Sequence, residues 1–152
     1  MSAASDDQAR PRRADYAHFV PVQTRWSDND QMGHINNVEY YRFFEFVVIH
    51  FTHNVLKCTM LDGLSPYSAE TLCRFRKPLS FPGTIDAALR VEHVGRTSVR
   101  YGLALFAEGD DEAAAHGHWV HVFVGRDNEK PRELPAPMRQ AMLDTMAKTR
   151  KA

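Results

Sequence analysis

Trp26-Ser-Asp-Asn-Asp-Gln-Met-Gly-His-Ile-Asn-Asn-Val-Glu-Tyr-Tyr-Arg-Phe-Phe-Glu45 gathers two carboxylates, a glycine, a histidine and three asparagines between Asp28 and Asn37. It then runs straight into a strongly apolar segment. Asp28, Asn29 and Asp30 are turn formers, and Gly33 permits a positive φ or a close ligand approach. Asn36 is a candidate N-cap, with Glu39 at the capping-box position. The stretch therefore reads as strand, turn and helix, the helix opening at Asn36 with its free N–H groups facing the turn. Such an end attracts negative charge, so a developing oxyanion could be held there with Asp30 beside it as base or nucleophile. Asp28 reads mainly as a turn former or a support for the site, and Asn36 as a cap. Asn37 would contribute chiefly its amide, while His34 would either orient the site or fill a polar gap.

Outward from this stretch, Val20, Val22, Thr24 and Trp26 alternate with Pro21, Gln23 and Arg25, which predicts a first strand from His18 to Trp26. The helix is expected to run to about Leu56. Val38, Tyr41, Phe44, Val48, Phe51 and Val55 form one broad face, and Phe43, Phe46, Val47 and Ile49 widen it nearly all round, so the helix should be buried under a sheet. Arg42 is placed to pair with Glu39 or Glu45. His50 and His53 suit the helix C-terminus. A loop from Cys58 to Pro66 carries the turn signals Asp62-Gly63 and Ser65-Pro66. Four strands follow: Tyr67 to Lys77, Thr84 to Val94, Thr97 to Ala107 and Ala113 to Val124, the middle two joined by a hairpin at Gly95-Arg96. A C-terminal segment, Leu134 to Lys148, should form a modest amphipathic helix that packs through Met138, Met142 and Met146. This order predicts an α+β domain with an antiparallel sheet over one long helix.

The motif Asp30-x-x-Gly33-His34-x-Asn36-Asn37-x-x-Tyr40, followed by Phe43-Phe44-Glu45, resembles the signature of acyl-CoA thioesterases of the 4-hydroxybenzoyl-CoA thioesterase family, over roughly residues 16 to 130. The resemblance implies a hotdog fold, an antiparallel sheet of about five strands wrapped around a long central helix. It implies hydrolysis of an acyl-CoA thioester to free acid and coenzyme A, with no cofactor. Asp30 matches the catalytic aspartate, and the amides around Gly33, His34, Asn36 and Asn37 match the donors to the thioester carbonyl. Tyr40, Arg96, Ser98, Arg126 and Lys130 are the candidate substrate-binding residues. The three cations sit at strand ends or loops, where they could meet coenzyme A phosphates, although each singly reads as a solvated loop charge. His34 follows the glycine where some members carry an apolar residue, which leaves the acyl group open. The resemblance also implies a homodimer with shared sites, two of which can join as a homotetramer.

Two other readings stand beside this one. An enoyl-CoA hydratase of the same fold would need Asp-x-Asn-Pro-x-His, and neither the proline nor the Asp-to-His spacing is present. An acyl-CoA binding module without turnover would look the same apart from Asp30. A local ion pair is the simpler role for Glu45.

The remaining composition narrows the class. The chain has 152 residues, equal numbers of acidic and basic side chains and an ordinary apolar fraction, which predicts a single domain over residues 16–152 with a sizeable core. It lacks the basic footprint of a nucleic-acid binder and any run long and apolar enough for a membrane span. Residues 1–15 read as a disordered tail without the apolar core of a secretory signal, so a cytoplasmic location is expected. Cys58 and Cys73 read as packed free thiols. His116 and His118 share a strand face with His121 opposite, which supplies no metal set.

Overall fold

The computed structural model describes residues 9–58 and 63–149. In chain order these form β1 (His18–Gln23), α1 (Asn37–Asn54), β2 (Leu64–Phe75), β3 (Thr84–Val94), β4 (Ser98–Ala107), β5 (Ala115–Gly125) and α2 (Ala136–Thr149), with short 3-10 turns at Arg13–Asp15 and Trp26–Asp28. The strands make one antiparallel sheet in the order β1-β3-β4-β5-β2. The strand after the long helix thus crosses to the far edge.

Alternation along the strands decides which face takes the helix. Ile85, Ala87, Leu89 and Val91 of β3, Val99, Tyr101, Leu103 and Leu105 of β4, and Trp119 and Phe123 of β5 are all buried in one cluster. Against them α1 packs Tyr40, Phe43, Phe44, Val47, Val48 and Phe51. Phe43, Phe44 and Phe51 have no exposed surface, and each such burial contributes about 2 kcal/mol or more. Met138 and Met142 of α2 close the same cluster, with Met146 packed against it, as the methionine stripe predicts. The result is the expected hotdog arrangement with a C-terminal helix.

Several expectations need correction. The helix is not buried all round: Val38, Phe46 and Ile49 are 67%, 46% and 47% exposed, because the sheet covers only one side of α1. β1 stops at Gln23, since the Thr24 amide turns to the Gly83 carbonyl and the Arg25 amide to the Asp28 carboxylate, pulling the chain into a 3-10 turn. Ser65-Pro66 is no turn but lies in β2, where Pro66 stands opposite Phe123; an edge strand tolerates a missing N–H. Asp62 lies outside the described residues. Glu39 does not cap α1, and Glu45 does not pair with Arg42, because Arg42 turns to Glu39 and Asp28 instead. Part of the stretch read as a tail is held in place: Arg12 pairs with Asp111 and Arg13 with Asp86. Among the described residues no helix is long and apolar enough to cross a membrane.

Candidate active site

The turn before α1 is fastened from beneath by Asp28. Its carboxylate is wholly buried and accepts from the Arg25 amide at 2.8 Å, from Arg25 Nε and Nη2 at 3.1 and 2.9 Å, and from Arg42 Nη2 at 3.0 Å. Burial alone would raise its pKa, but these donors outweigh it and hold the carboxyl below its ordinary value of 3.8. Asp28 is therefore the anchor of the turn, in keeping with its sequence reading. A depressed folded pKa contributes stability that is present above the ordinary value and is lost as pH falls through the folded one. Asp28→Asn should lower the unfolding free energy by about 2 kcal/mol at neutral pH, read by chemical denaturation. The deficit should shrink as pH falls from the ordinary value towards the depressed folded one, below which the wild-type carboxylate is itself protonated.

The loop between β2 and β3 holds the turn from the other side. Ile35 donates to the Leu79 carbonyl at 2.7 Å, Ser80 Oγ donates to the Gly33 carbonyl at 3.0 Å, and Asn29 Oδ1 accepts from the Phe81 amide at 3.0 Å. Tyr40, buried on the first turn of α1, accepts from the Leu79 amide at 3.1 Å and meets Phe75 edge-on. Burial, against a smaller effect of that hydrogen bond, raises its phenol pKa. Tyr40→Phe should therefore cost about 1 kcal/mol of stability, measurable as a small fall in Tm, because it leaves the Leu79 amide without its acceptor.

On this frame the candidate catalytic residues come together. Asp30, His34, Asn37 and Tyr40 line a groove of about 460 Å³ whose other wall is Phe75, Arg76, Lys77 and Pro78. Asp30 and His34 are exposed. The Met32 amide donates to Asp30 Oδ1 at 2.8 Å, which fixes the carboxylate and leaves Oδ2 without a partner among the described residues. Gly33 takes φ +78°, as a turn glycine can. Two of the four amides expected as carbonyl donors, those of Gly33 and Asn36, are already engaged, as are the neighbouring Ile35 and Val38 amides. Gly33 donates to the Asp30 carbonyl, Ile35 to Leu79, Asn36 to the Asp28 carbonyl, and Val38 to Asn36 Oδ1, the N-cap bond. That corrects the donor role expected of the Gly33 and Asn36 amides, while Asn36 caps α1 as its own sequence reading has it. Among the described residues the His34 and Asn37 amides have no protein acceptor, and both residues line the groove.

Arg96, Ser98, Arg126 and Lys130 are not part of this groove. Arg96 follows β3, whose eleven residues run from Thr84, beside the site, to Val94; at about 3.3 Å per residue that places it roughly 30 Å away along the sheet. Arg96 pairs with Glu133. Ser98 opens β4, and Lys130 lies in the turn after β5, its carbonyl accepting from Gly125. Arg126 donates its amide to Gly63, at the head of β2. The four residues therefore gather at the end of the sheet opposite Asp30. Sequence reading missed Phe75 to Pro78, which furnish the facing wall. The basic pair Arg76-Lys77 before a proline was the available signal, but only the strand order shows that it meets the helix N-terminus. Elsewhere, burial pushes the Cys73 thiol up to about 12 and the His121 imidazole down to about 4, consistent with packing roles.

Comparison with known proteins follows the same lines. A family described as the thioesterase-like superfamily matches residues 24–142. The PA5185 protein of Pseudomonas aeruginosa is 40% identical in sequence, with 90% of this chain and 96% of that one covered and a TM-score of 0.86. A thioesterase from Thermus thermophilus, solved with coenzyme A and zinc, has a TM-score of 0.73 at 22% identity over 88% of this chain and 96% of that one. A DHNA-CoA thioesterase from Staphylococcus aureus has a TM-score of 0.74 at 21% identity over 85% and 90%. These last two likenesses show the shared fold. A search of curated proteins gave no match.

Proposed function

We propose, from the premise that this chain belongs to the thioesterase-like superfamily and is a thioester hydrolase, that it cleaves acyl-CoA at the groove beside Asp30. The observation that carries this reading is the juxtaposition, on one groove wall, of a carboxylate oxygen and two amides that have no partner among the described residues. Acyl transfer needs both a base or nucleophile and a donor pair for the developing oxyanion. The His34 and Asn37 amides would take the thioester oxygen, with the N-terminus of α1 behind them adding its positive end. Asp30 Oδ2 would either deprotonate a water that attacks the carbonyl carbon or attack that carbon itself; in both routes the C–S bond breaks and coenzyme A leaves as the thiol. The coenzyme A seen in the Thermus relative is consistent with this substrate class. An acyl-CoA panel assayed by thiol release tests it: turnover of at least one member at a kcat/KM of about 10⁴ M⁻¹s⁻¹ or more is expected, whereas tight binding without thiol release would leave a binding module instead.

The proposed assembly is a homodimer paired through β2. This twelve-residue strand is a sheet edge with an unpaired ladder, and Tyr67 and Phe75 on it are 46% and 48% exposed. Natural proteins cover such edges. The other edge, β1, is half as long and carries Pro21, which cannot donate. A two-fold axis that pairs β2 antiparallel with its copy sets the Phe75 end of one strand beside the Leu64 end of the other. Arg126 and Lys130 lie at that second end, so the partner's copy of them would stand near the Asp30 groove, the region a coenzyme A tail would cross. The distance that separates them within one chain is thus removed by the dimer.

A further inference from the structure

The face of the sheet turned away from α1 carries a second concavity, which the proposed thioesterase reaction does not use. It measures about 430 Å³ and is lined by Arg74, Arg90, Glu92, Arg100, His116 and His118, among others. Three guanidiniums face the carboxylate of Glu92, and the Glu70 carboxylate stands at the edge against His118, so the guanidiniums outnumber the carboxylates by one before the histidines are counted. Register explains the arrangement: Arg90 of β3, Gly102 of β4 and His118 of β5 lie in one row across the sheet, and Ala104, His116 and Arg74 in the next. Glycine and alanine make the floor and long basic side chains the walls. A side chain at 102 would collide with Glu92 Oε1 and Arg90 Nε.

Part of this basic set is already satisfied. Glu92 bridges Arg90 and Arg100, Arg100 reaches His118 Nδ1 at 3.2 Å, and His118 Nε2 pairs with Glu70. Arg74, in contrast, is exposed and has no ion-pair or hydrogen-bond partner among the described residues. The buried Nε2 of its cross-strand neighbour His116 also has none. Burial first, then the charges of Arg76, Arg74, Arg90 and Arg10, lower the pKa of that imidazole, which reports a positive potential in the concavity.

We propose that this outer face is a binding site for a polyphosphate, such as pyrophosphate or the phosphate chain of a nucleotide, with Arg74 and His116 as the open partners and Arg90 and Arg100 as flanking charge. Planar guanidiniums suit phosphate oxygens, and an anion would offset the excess positive charge. The site is separate from the active groove, because Arg74 and Phe75 point to opposite faces of β2.

The test is calorimetric titration of the full chain with pyrophosphate, and separately with ATP. Binding below millimolar Kd is expected, weakened at least tenfold by Arg74→Ala and partly recovered by Arg74→Lys. Basal thioester hydrolysis and Tm should be unchanged in both variants. Binding by pyrophosphate as well as ATP assigns recognition to the phosphates, while ATP alone would add the nucleoside. Three results overturn the proposal: no binding at millimolar concentration, binding indifferent to Arg74→Ala, or simple competition of pyrophosphate with acyl-CoA, which would place it in the substrate's own site. Dissociation of an oligomer by Arg74→Ala without any change in anion affinity would overturn it too, by assigning the patch to a contact between copies.

Discussion

Asp30→Asn should reduce kcat by about 100-fold or more while leaving the fold intact, the size expected when a general base or nucleophile is removed from acyl transfer. The substitution is informative because of how the side chain is held. Asparagine keeps the Oδ1 acceptor that takes the Met32 amide and replaces only the outer oxygen, which has no partner among the described residues. Tm should accordingly stay within a degree or two of wild type, and KM should move little if the His34 and Asn37 amides still receive the carbonyl. Steady-state thiol release on the best acyl-CoA, with a thermal melt of the same sample, measures all three quantities. Unchanged turnover would remove Asp30 from the mechanism. A single turnover in ¹⁸O-water then probes the route: label in the Asp30 carboxyl establishes attack by Asp30 itself, with water opening the anhydride at the Asp30 carbonyl, whereas base-assisted attack by water, like opening of the anhydride at the acyl carbon, puts it only in the product acid.

The residues that made the site legible are those whose reason lies close by in sequence. Asn36 caps α1 because its carboxamide reaches only two residues on, and Asp28 and Asp30 divide between anchor and open carboxylate within one turn. Strand periodicity likewise located β3 and β4 almost to the residue, since one face of each is sealed by α1. What stayed hidden depends on the order β1-β3-β4-β5-β2. The groove wall from Phe75 to Pro78 meets the helix N-terminus only because β2 crosses to the far edge, and β5, antiparallel to β2, ends beside Leu64 and so carries Arg126 and Lys130 to the opposite end. Competing partners hid the rest. Glu39 had the spacing for a cap but faces Arg42 and Arg25, whose charges offer more than one backbone amide. The apolar back of α1 exceeded what one sheet can cover, and Phe46 and Ile49 remain exposed in the single chain.

Mixing two inactive variants should restore activity if sites are shared across the β2 edge. One chain carries Asp30→Asn and the other Arg126→Ala with Lys130→Ala; each homodimer lacks one half of both its sites. Random exchange in an equal mixture gives about half heterodimers, and by two-fold symmetry each has one site with Asp30 from one chain and both cations from its partner. About a quarter of wild-type activity is the expected plateau, reached as subunits exchange. Were Asp30 served by the cations of its own chain, no combination would contain a complete site and the mixture would stay at the level of the separate variants. That outcome is disfavoured by geometry, because the roughly 30 Å that β3 spans at about 3.3 Å per residue separates the two groups in one chain. Light scattering on the same samples completes the test: an active monomer at micromolar concentration would overturn the shared site, since a lone chain holds its carboxylate at one end of the sheet and these cations at the other.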